Sequence, residues 1–452
     1  MSGSLRVRAW LGVLLAASLA APALLYAHIR LEASVPAHGA VLTGPPSQLR
    51  LTFSERIERR YTRITLTAPD GAAVPLGPVT FVATSDREIS VRVPPLPASG
   101  TYTVGWSTAG ADGHVLEGSY AFTVAPDDTQ VAPPGEPPIP HEEHAHEAPR
   151  TVQSTSGAIG RGAHFLALLV LLGAVAFRVL LLPRLHLAPA TAAALELRTW
   201  RAVAAGAVLL AAAAVLRLWL QSIALHGPER AWSPALLSIM LRDTAWGRAW
   251  LLQAFLFAAL GMAIAWARPG RDRRALLIAL PTAVLLAAIP GLTGHAAGAT
   301  GFGRLAVVND AIHVAAVGTW LGTLAILLLV AIPAMRRFEA APERTAADAV
   351  NTFSPLALLA AFVVAGTGVI NTWMHIALPA QLWTTPYGRT LLLKLALVVA
   401  ILATGFVNWR VVRPRLRDVP DLRRLRLSAG AELALAVLIL AVTAILTGRP
   451  RP

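Results

Sequence analysis

The sequence predicts two domains in series. A small all-β sandwich or barrel of Greek-key type comes first, and an all-α membrane bundle of about eight transmembrane helices follows. Three observations lead there. Residues 28–125 alternate apolar and polar side chains with period two, the mark of half-buried strands. Residues from 158 onward form long apolar runs, each long enough to cross a hydrocarbon core. Only 14% of residues are charged and 55% are hydrophobic, which suits neither a soluble domain nor a disordered chain.

Taken in order, residues 1–27 read as a secretory signal. Arg6 and Arg8 precede an apolar run from Trp10 to Leu19, and Leu25-Tyr26-Ala27 forms the exit. An uncleaved membrane anchor is the alternative. Cleavage after Ala27 makes His28 the first residue, so that one residue presents both an α-amine and an imidazole. Strands are expected over 48–53, 62–67, 88–93, 101–106 and 119–124, among about seven in all. They are bounded by Pro45-Pro46, Asp70-Gly71, Pro94-Pro95 and Ser99-Gly100. Residues 126–157 are Pro-rich and acidic, the composition of an extended linker. Its His141, His144 and His146 are either a transient metal site or solvated side chains. Eight apolar runs follow between 158 and 447, at 161–182, 200–222, 247–267, 275–293, 305–332, 353–376, 389–409 and 428–447. Residues 448–452 are a short tail.

The net charge of +14 comes almost wholly from arginine, since Lys394 is the only lysine. With the first domain exported, seventeen arginines fall in the inner connectors and five in the outer ones. That bias is the positive-inside rule. The basicity therefore reports topology in a lipid membrane, and no nucleic-acid partner is expected. No phosphate-binding Gly-x-x-x-x-Gly-Lys loop occurs, so no nucleotide is expected. Cysteine is absent, which excludes disulfides, thiolate catalysis and iron–sulfur clusters. A metal would be held by His, carboxylate, Met or backbone.

Two stretches carry such donors. His28-Ile29-Arg30-Leu31 opens the first domain, and Gly110-Ala111-Asp112-Gly113-His114 lies near its end. The amine, two imidazoles and one carboxylate would form an N/O set suited to tetragonal Cu(II). The opening, the Phe53-Ser54-Glu55 strand end and the Asp112-Gly113-His114 turn resemble the CopC family of periplasmic copper-binding proteins. The resemblance implies Cu(II) held by His28, Asp112 and His114. Some members of that family add a Met-rich Cu(I) site, but residues 28–150 contain no Met. Glu55 is either an outer partner near the amine or a surface strand-end acid, and His38 is expected to be solvated.

Ionisable groups inside spans are costly and need a reason. His164, His295, His313 and His375 fall in the outer half or at the outer ends of their spans. With Met374 they are candidate membrane-side ligands, with Cu(I) the candidate state; interfacial placement is the alternative. Lys394 and Arg389, near the outer end of their span, either snorkel or neutralise Asp310 across the bundle. The stretches Arg161-Gly162-Ala163-His164-Phe165, Asn309-Asp310-Ala311-Ile312-His313 and Tyr387-Gly388-Arg389 resemble the CopD family of multispan copper proteins. The order of the two domains resembles fused bacterial copper import, homeostasis and resistance proteins. The resemblance implies a non-enzymatic protein of the bacterial cytoplasmic membrane, its β domain on the periplasmic or extracellular side, that captures Cu(II) and passes it to the bundle. A membrane-tethered copper store is the alternative, and a copper or haem oxidoreductase a further one. A copper chaperone or reductase partner is not specified by the sequence.

Overall fold

The computed structural model describes residues 31–126 and 155–449, apart from 84, 97–98, 111–114, 268–271, 295–302, 377 and 413–421. The described part of the first domain is a sandwich of two sheets. One has the strand order β1-β3-β7-β6 and the other β2-β9-β8-β4-β5. Here β1 is Leu31–Val35, β2 Val41–Leu42, β3 Gln48–Phe53, β4 Arg63–Thr67 and β5 Ala73–Val74. Strand β6 is Val79–Phe81, β7 Glu88–Arg92, β8 Gly100–Ala109 and β9 Val115–Val124.

All five sequence-predicted strands are present, and the reason is the alternation. In β3, Leu49, Leu51 and Phe53 point inward and are fully buried while Gln48 and Arg50 face water. Phe53 meets Trp106 edge-on at 5.4 Å, and Tyr102 stacks on Phe122 at 5.7 Å. Such pairs contribute about 0.5–1.5 kcal/mol each beyond area burial. Strands β8 and β9 pair over their full ten residues, from Gly100 with Val124 to Ala109 with Val115. The segment bearing Asp112 and His114 therefore joins the ends of the longest hairpin in the sandwich.

Among the described residues, eight helices are long and apolar enough to cross a membrane. They are α1 (Ser156–Arg184), α2 (Pro189–His226), α4 (Ala245–Trp266), α5 (Asp272–Leu292), α6 (Gly303–Phe338), α7 (Pro342–Met374), α9 (Pro386–Val411) and α10 (Arg426–Leu446). Two short helices, α3 (Pro234–Asp243) and α8 (Gln381–Thr384), precede α4 and α9.

The bundle repeats itself. Helices α1, α2, α4 and α5 correspond to α6, α7, α9 and α10. Ala188-Pro189 opens α2 as Ala341-Pro342 opens α7, and Ser222-Ile223-Ala224-Leu225 matches His375-Ile376-Ala377-Leu378. Thr244-Ala245-Trp246-Gly247-Arg248 matches Thr385-Pro386-Tyr387-Gly388-Arg389, and Leu292-Thr293-Gly294 matches Leu446-Thr447-Gly448. The contacts repeat as well. Thr244 Oγ1 accepts from Gly247 N at 2.9 Å, and Thr385 Oγ1 from Gly388 N at 3.0 Å. A wide π turn closes the apolar part of both α1 and α6, at Phe177–Leu181 and Leu327–Ala331. The halves meet where α1 crosses α6. A Cβ on Gly173 would lie 2.1 Å from the Gly322 carbonyl carbon, so only glycine permits this backbone-to-backbone crossing. These two glycines correspond to each other in the repeat.

Candidate metal centre and the domain junction

The sandwich meets one end of the bundle chiefly through one turn. After β3 the chain forms a single 3-10 turn, Arg59–Tyr61, just before β4. Ile57 bridges to Gly110, and Glu58 N donates to Ala109 O at 2.8 Å, which fixes this turn against the end of β8. Its side chains then reach the membrane domain. Glu58 Oε1 accepts from Ala245 N at 2.9 Å, at the N-terminus of α4, where the helix dipole favours an acceptor. Arg60 Nε lies 2.9 Å from Asp243 Oδ2 at the end of α3.

Tyr61 meets His226, the last residue of α2, at 3.2 Å. Ser222 Oγ donates to Ala231 O, so it accepts from His226 Nδ1 at 3.1 Å. The free lone pair of His226 is then on Nε2, and Tyr61 O–H donates to it. Burial pushes the Glu58 carboxyl above its usual range, opposed by the bond from Ala245 and by Arg56 and Arg248. Burial, with Glu58 and Asp243 nearby, pushes Tyr61 up to about 12. Tyr61 therefore stays a neutral donor. Tyr61, Ala109, Gly110, Gln221, Leu225 and Trp246 line the seam between the domains.

The proposed copper ligands His28, Asp112 and His114 lie outside the described residues, as do His141, His144, His146 and His295. What is described is their frame. Gly110 lies in the seam one residue before that segment, and Val115 begins β9 just after it. Glu55 is buried, with 7% exposure, which removes the surface-acid alternative. His38 is exposed, and its Nδ1 accepts from Ala121 N at 3.3 Å.

Inside the bundle, His313 sits in a polar layer that joins α6 to α7. Asn309 Nδ2 donates to Thr367 O at 3.1 Å and to Asn371 Oδ1 at 2.7 Å. Asn371 Nδ2 in turn donates to Asp310 Oδ1 at 2.8 Å. Thr367 gives its hydroxyl hydrogen to Val363 O at 2.6 Å, so it accepts from His313 Nδ1 at 2.8 Å. That fixes the tautomer and leaves the His313 Nε2 lone pair unprotonated. Lys394 acts electrostatically on both His313 and Asp310. Arg389, the other expected counter-charge for Asp310, instead donates to Trp383 O at 3.0 Å.

His164 is different. It is 1% exposed, and neither ring nitrogen has a hydrogen-bond partner. Met374 is buried against Ala306 and Val307. The backbone of His375 ends the helix, but its side chain lies outside the described residues. No group of three or more His, Asp or Glu that could hold a metal occurs among the described residues.

The docking turn and the partners of His313 were not anticipated from sequence. Glu58, Arg60 and Tyr61 fall in a stretch with neither period. Asn309, Thr367 and Asn371 meet only through helix–helix register.

Comparison with known proteins places both parts. The CopC domain model matches residues 31–125. The model for the N-terminal domain of copper resistance protein D-like proteins matches 154–305, and that for copper resistance protein D matches 347–446. The copper transport protein CutJ of Bacillus subtilis is 26% identical over 98% of this chain and 78% of its own length. Copper resistance protein C of Escherichia coli is 34% identical over 22% of this chain and 82% of its own. The crystal structure of CopC from Methylosinus trichosporium OB3b is 30% identical, covering 23% of this chain and all of that one, with a TM-score of 0.21. The chain therefore belongs to the copper transport and resistance family, as a CopC domain followed in one polypeptide by copper resistance protein D-type membrane domains.

Proposed function

We propose that the outer domain captures Cu(II) and delivers copper to the membrane bundle for import and homeostasis, acting as a carrier rather than an enzyme. The ligands in this reading are the amine and imidazole of His28, freed by signal cleavage, with Asp112 and His114. Buried Glu55 is an outer partner. The domain faces the periplasmic or extracellular side of the bacterial cytoplasmic membrane.

The observation that carries the reading is the junction. The turn that bonds to the bundle, through Glu58, Arg60 and Tyr61, is held against the end of β8 that leads into Asp112 and His114. A store without transport would not need the strand end that leads to its ligands held at the bundle. Affinity should fall in acid, because each ligand must be deprotonated to bind.

The test is copper entry into vesicles containing the purified chain, with Cu(II) supplied on the side of the outer domain. The reading expects luminal copper to rise, and to stay near background for His114→Ala. Copper that remains bound outside with no luminal gain supports a tethered store instead.

A further inference from the structure

The two copies of the four-helix unit place histidines at corresponding positions, His164 in α1 and His313 in α6, but line them oppositely. Position 310 in the second copy is aspartate; its counterpart in the first is Arg161. Thr367 and Asn371, which orient His313 and Asp310, correspond to Ala214 and Leu218, both buried and apolar. This is why His164 has no partner for either nitrogen. Arg217 lies close enough to act on both His164 and Arg161. Arg161 Nε is spent on Ala444 O at 2.9 Å, and Arg217 on Thr293 Oγ1 at 3.2 Å. No carboxylate pairs with either arginine among the described residues. The Arg217 guanidinium beside His164 repels a further cation there.

The second copy differs at two depths. Asp310 and His313 lie about 10 and 15 Å along α6 from its outer end. Toward the inner side, Asn408 donates to the buried carboxylate of Glu432, and Ser428 donates to Asn408 Oδ1. The first copy has Ala267 and Ile278 where the second has Asn408 and Glu432. At these two pairs of corresponding positions the carboxylate stands in the second copy.

We infer that the second copy alone carries the bundle's metal-cation site, formed by the His313 Nε2 lone pair and the Asp310 carboxylate, and that Lys394 is a tethered cation that an incoming metal must displace. The assignment deepens the proposed delivery of copper into the bundle and rests on it. The imidazole and carboxylate are i and i+3 on one helix face, within reach of one ion. Asn371 and Thr367 hold their orientation by hydrogen bonds to the atoms that the metal does not need. Lys394 corresponds to Gln253 in the first copy, so the only lysine of the chain stands in the half that carries Asp310 and acts on it. Gly368 approaches the site as well; a Cβ there would lie 3.8 Å from His313 Cε1.

The full chain in detergent is titrated with Cu(II) from a chelator buffer, and the equivalents bound are counted. The outer domain is expected to take the first equivalent in every variant. A second, weaker equivalent should disappear in His313→Gln and in Asp310→Asn but persist in His164→Ala. Lys394→Met should tighten it about tenfold or more, while Lys394→Arg, which keeps the charge, should not. Loss of the second equivalent in His164→Ala, or no gain in Lys394→Met, overturns the assignment. So does a Lys394→Met chain that stops at one equivalent. Retention of the first equivalent shows that the outer domain is folded, and an unchanged thermal transition of the bundle shows that the spans are. Its absence from the parent chain would instead refute the capture reading, so the two failures are distinguishable.

Discussion

In the sandwich, water lies outside, and Leu49, Leu51, Phe53, Tyr102 and Phe122 fill the space between the sheets. Nothing polar can be kept there without a partner, so donors collect at the rim, at strand ends and turns. In the bundle, lipid replaces water on the outside. Exposed Val208, Phe255, Leu277 and Leu359 face it, and polar groups turn inward to bond across helices, as Asn309, Asn371 and Asp310 do. The contrast teaches where each domain can hold an ion: one at its edge, the other between its helices. The junction at Glu58, Arg60 and Tyr61 is where edge and interior come together.

The sharpest way to break that contrast is to remove the edge donors. Asp112→Ala or His114→Ala should weaken Cu(II) binding to the outer domain by about a hundredfold or more, read by EPR titration, with the spans unaffected. Unchanged affinity would mean that the rim does not hold the metal.

The next largest effect concerns the interior. Gly173→Leu would drive a side chain into the Gly322 backbone. It should destabilise the bundle by about 1–3 kcal/mol or prevent its assembly, while the sandwich still binds copper. Separate thermal transitions for the two domains would show this. A shared shift would mean that they fold as one unit.

Smaller effects lie at the seam. The Arg60–Asp243 pair is 63% and 40% exposed, so screening limits it to about 0.2–1 kcal/mol. Arg60→Glu should loosen docking, and adding Asp243→Arg should restore it, measured by cross-linking between the domains. The smallest effect is the pH dependence at Glu58. Burial raises its carboxyl above the ordinary 4.5, so the docked state binds the proton more tightly than the free one. Its contribution to docking is fully present below the ordinary value and is lost as pH rises through the raised one. Glu58→Gln keeps an acceptor for Ala245 N and should flatten cross-linking yield across that window.

Much of this was legible in the sequence. The strands over 48–53 and 88–93 followed from strict alternation, and eight apolar runs marked eight spans. The helix ends were less legible. Helices α2 and α7 begin at Pro189 and Pro342, ten or so residues before their apolar runs, because polar inner turns carry no hydropathy signal. The 3-10 turn at Arg59–Tyr61 has no period to detect. The repeat was readable in Thr-x-Trp/Tyr-Gly-Arg, yet apolar helices match one another so easily that it is obscured. His313 stood out from sequence because it lies near Asn309 and Asp310, but its bond to Thr367 depends on how α6 packs on α7. On their own helices His164 follows Arg161 and His313 follows Asp310; the rest of the difference lies in their neighbours on other helices.

Delivery requires that metal bound at the rim move into the bundle. The most direct measurement loads the outer domain with one equivalent of isotopic copper in sealed vesicles, removes free metal, and follows that copper over time. Delivery predicts that copper leaves the outer domain and appears in the lumen, more slowly when Arg60→Glu loosens the seam. Copper that stays on the outer domain indefinitely, with an empty lumen, would contradict it.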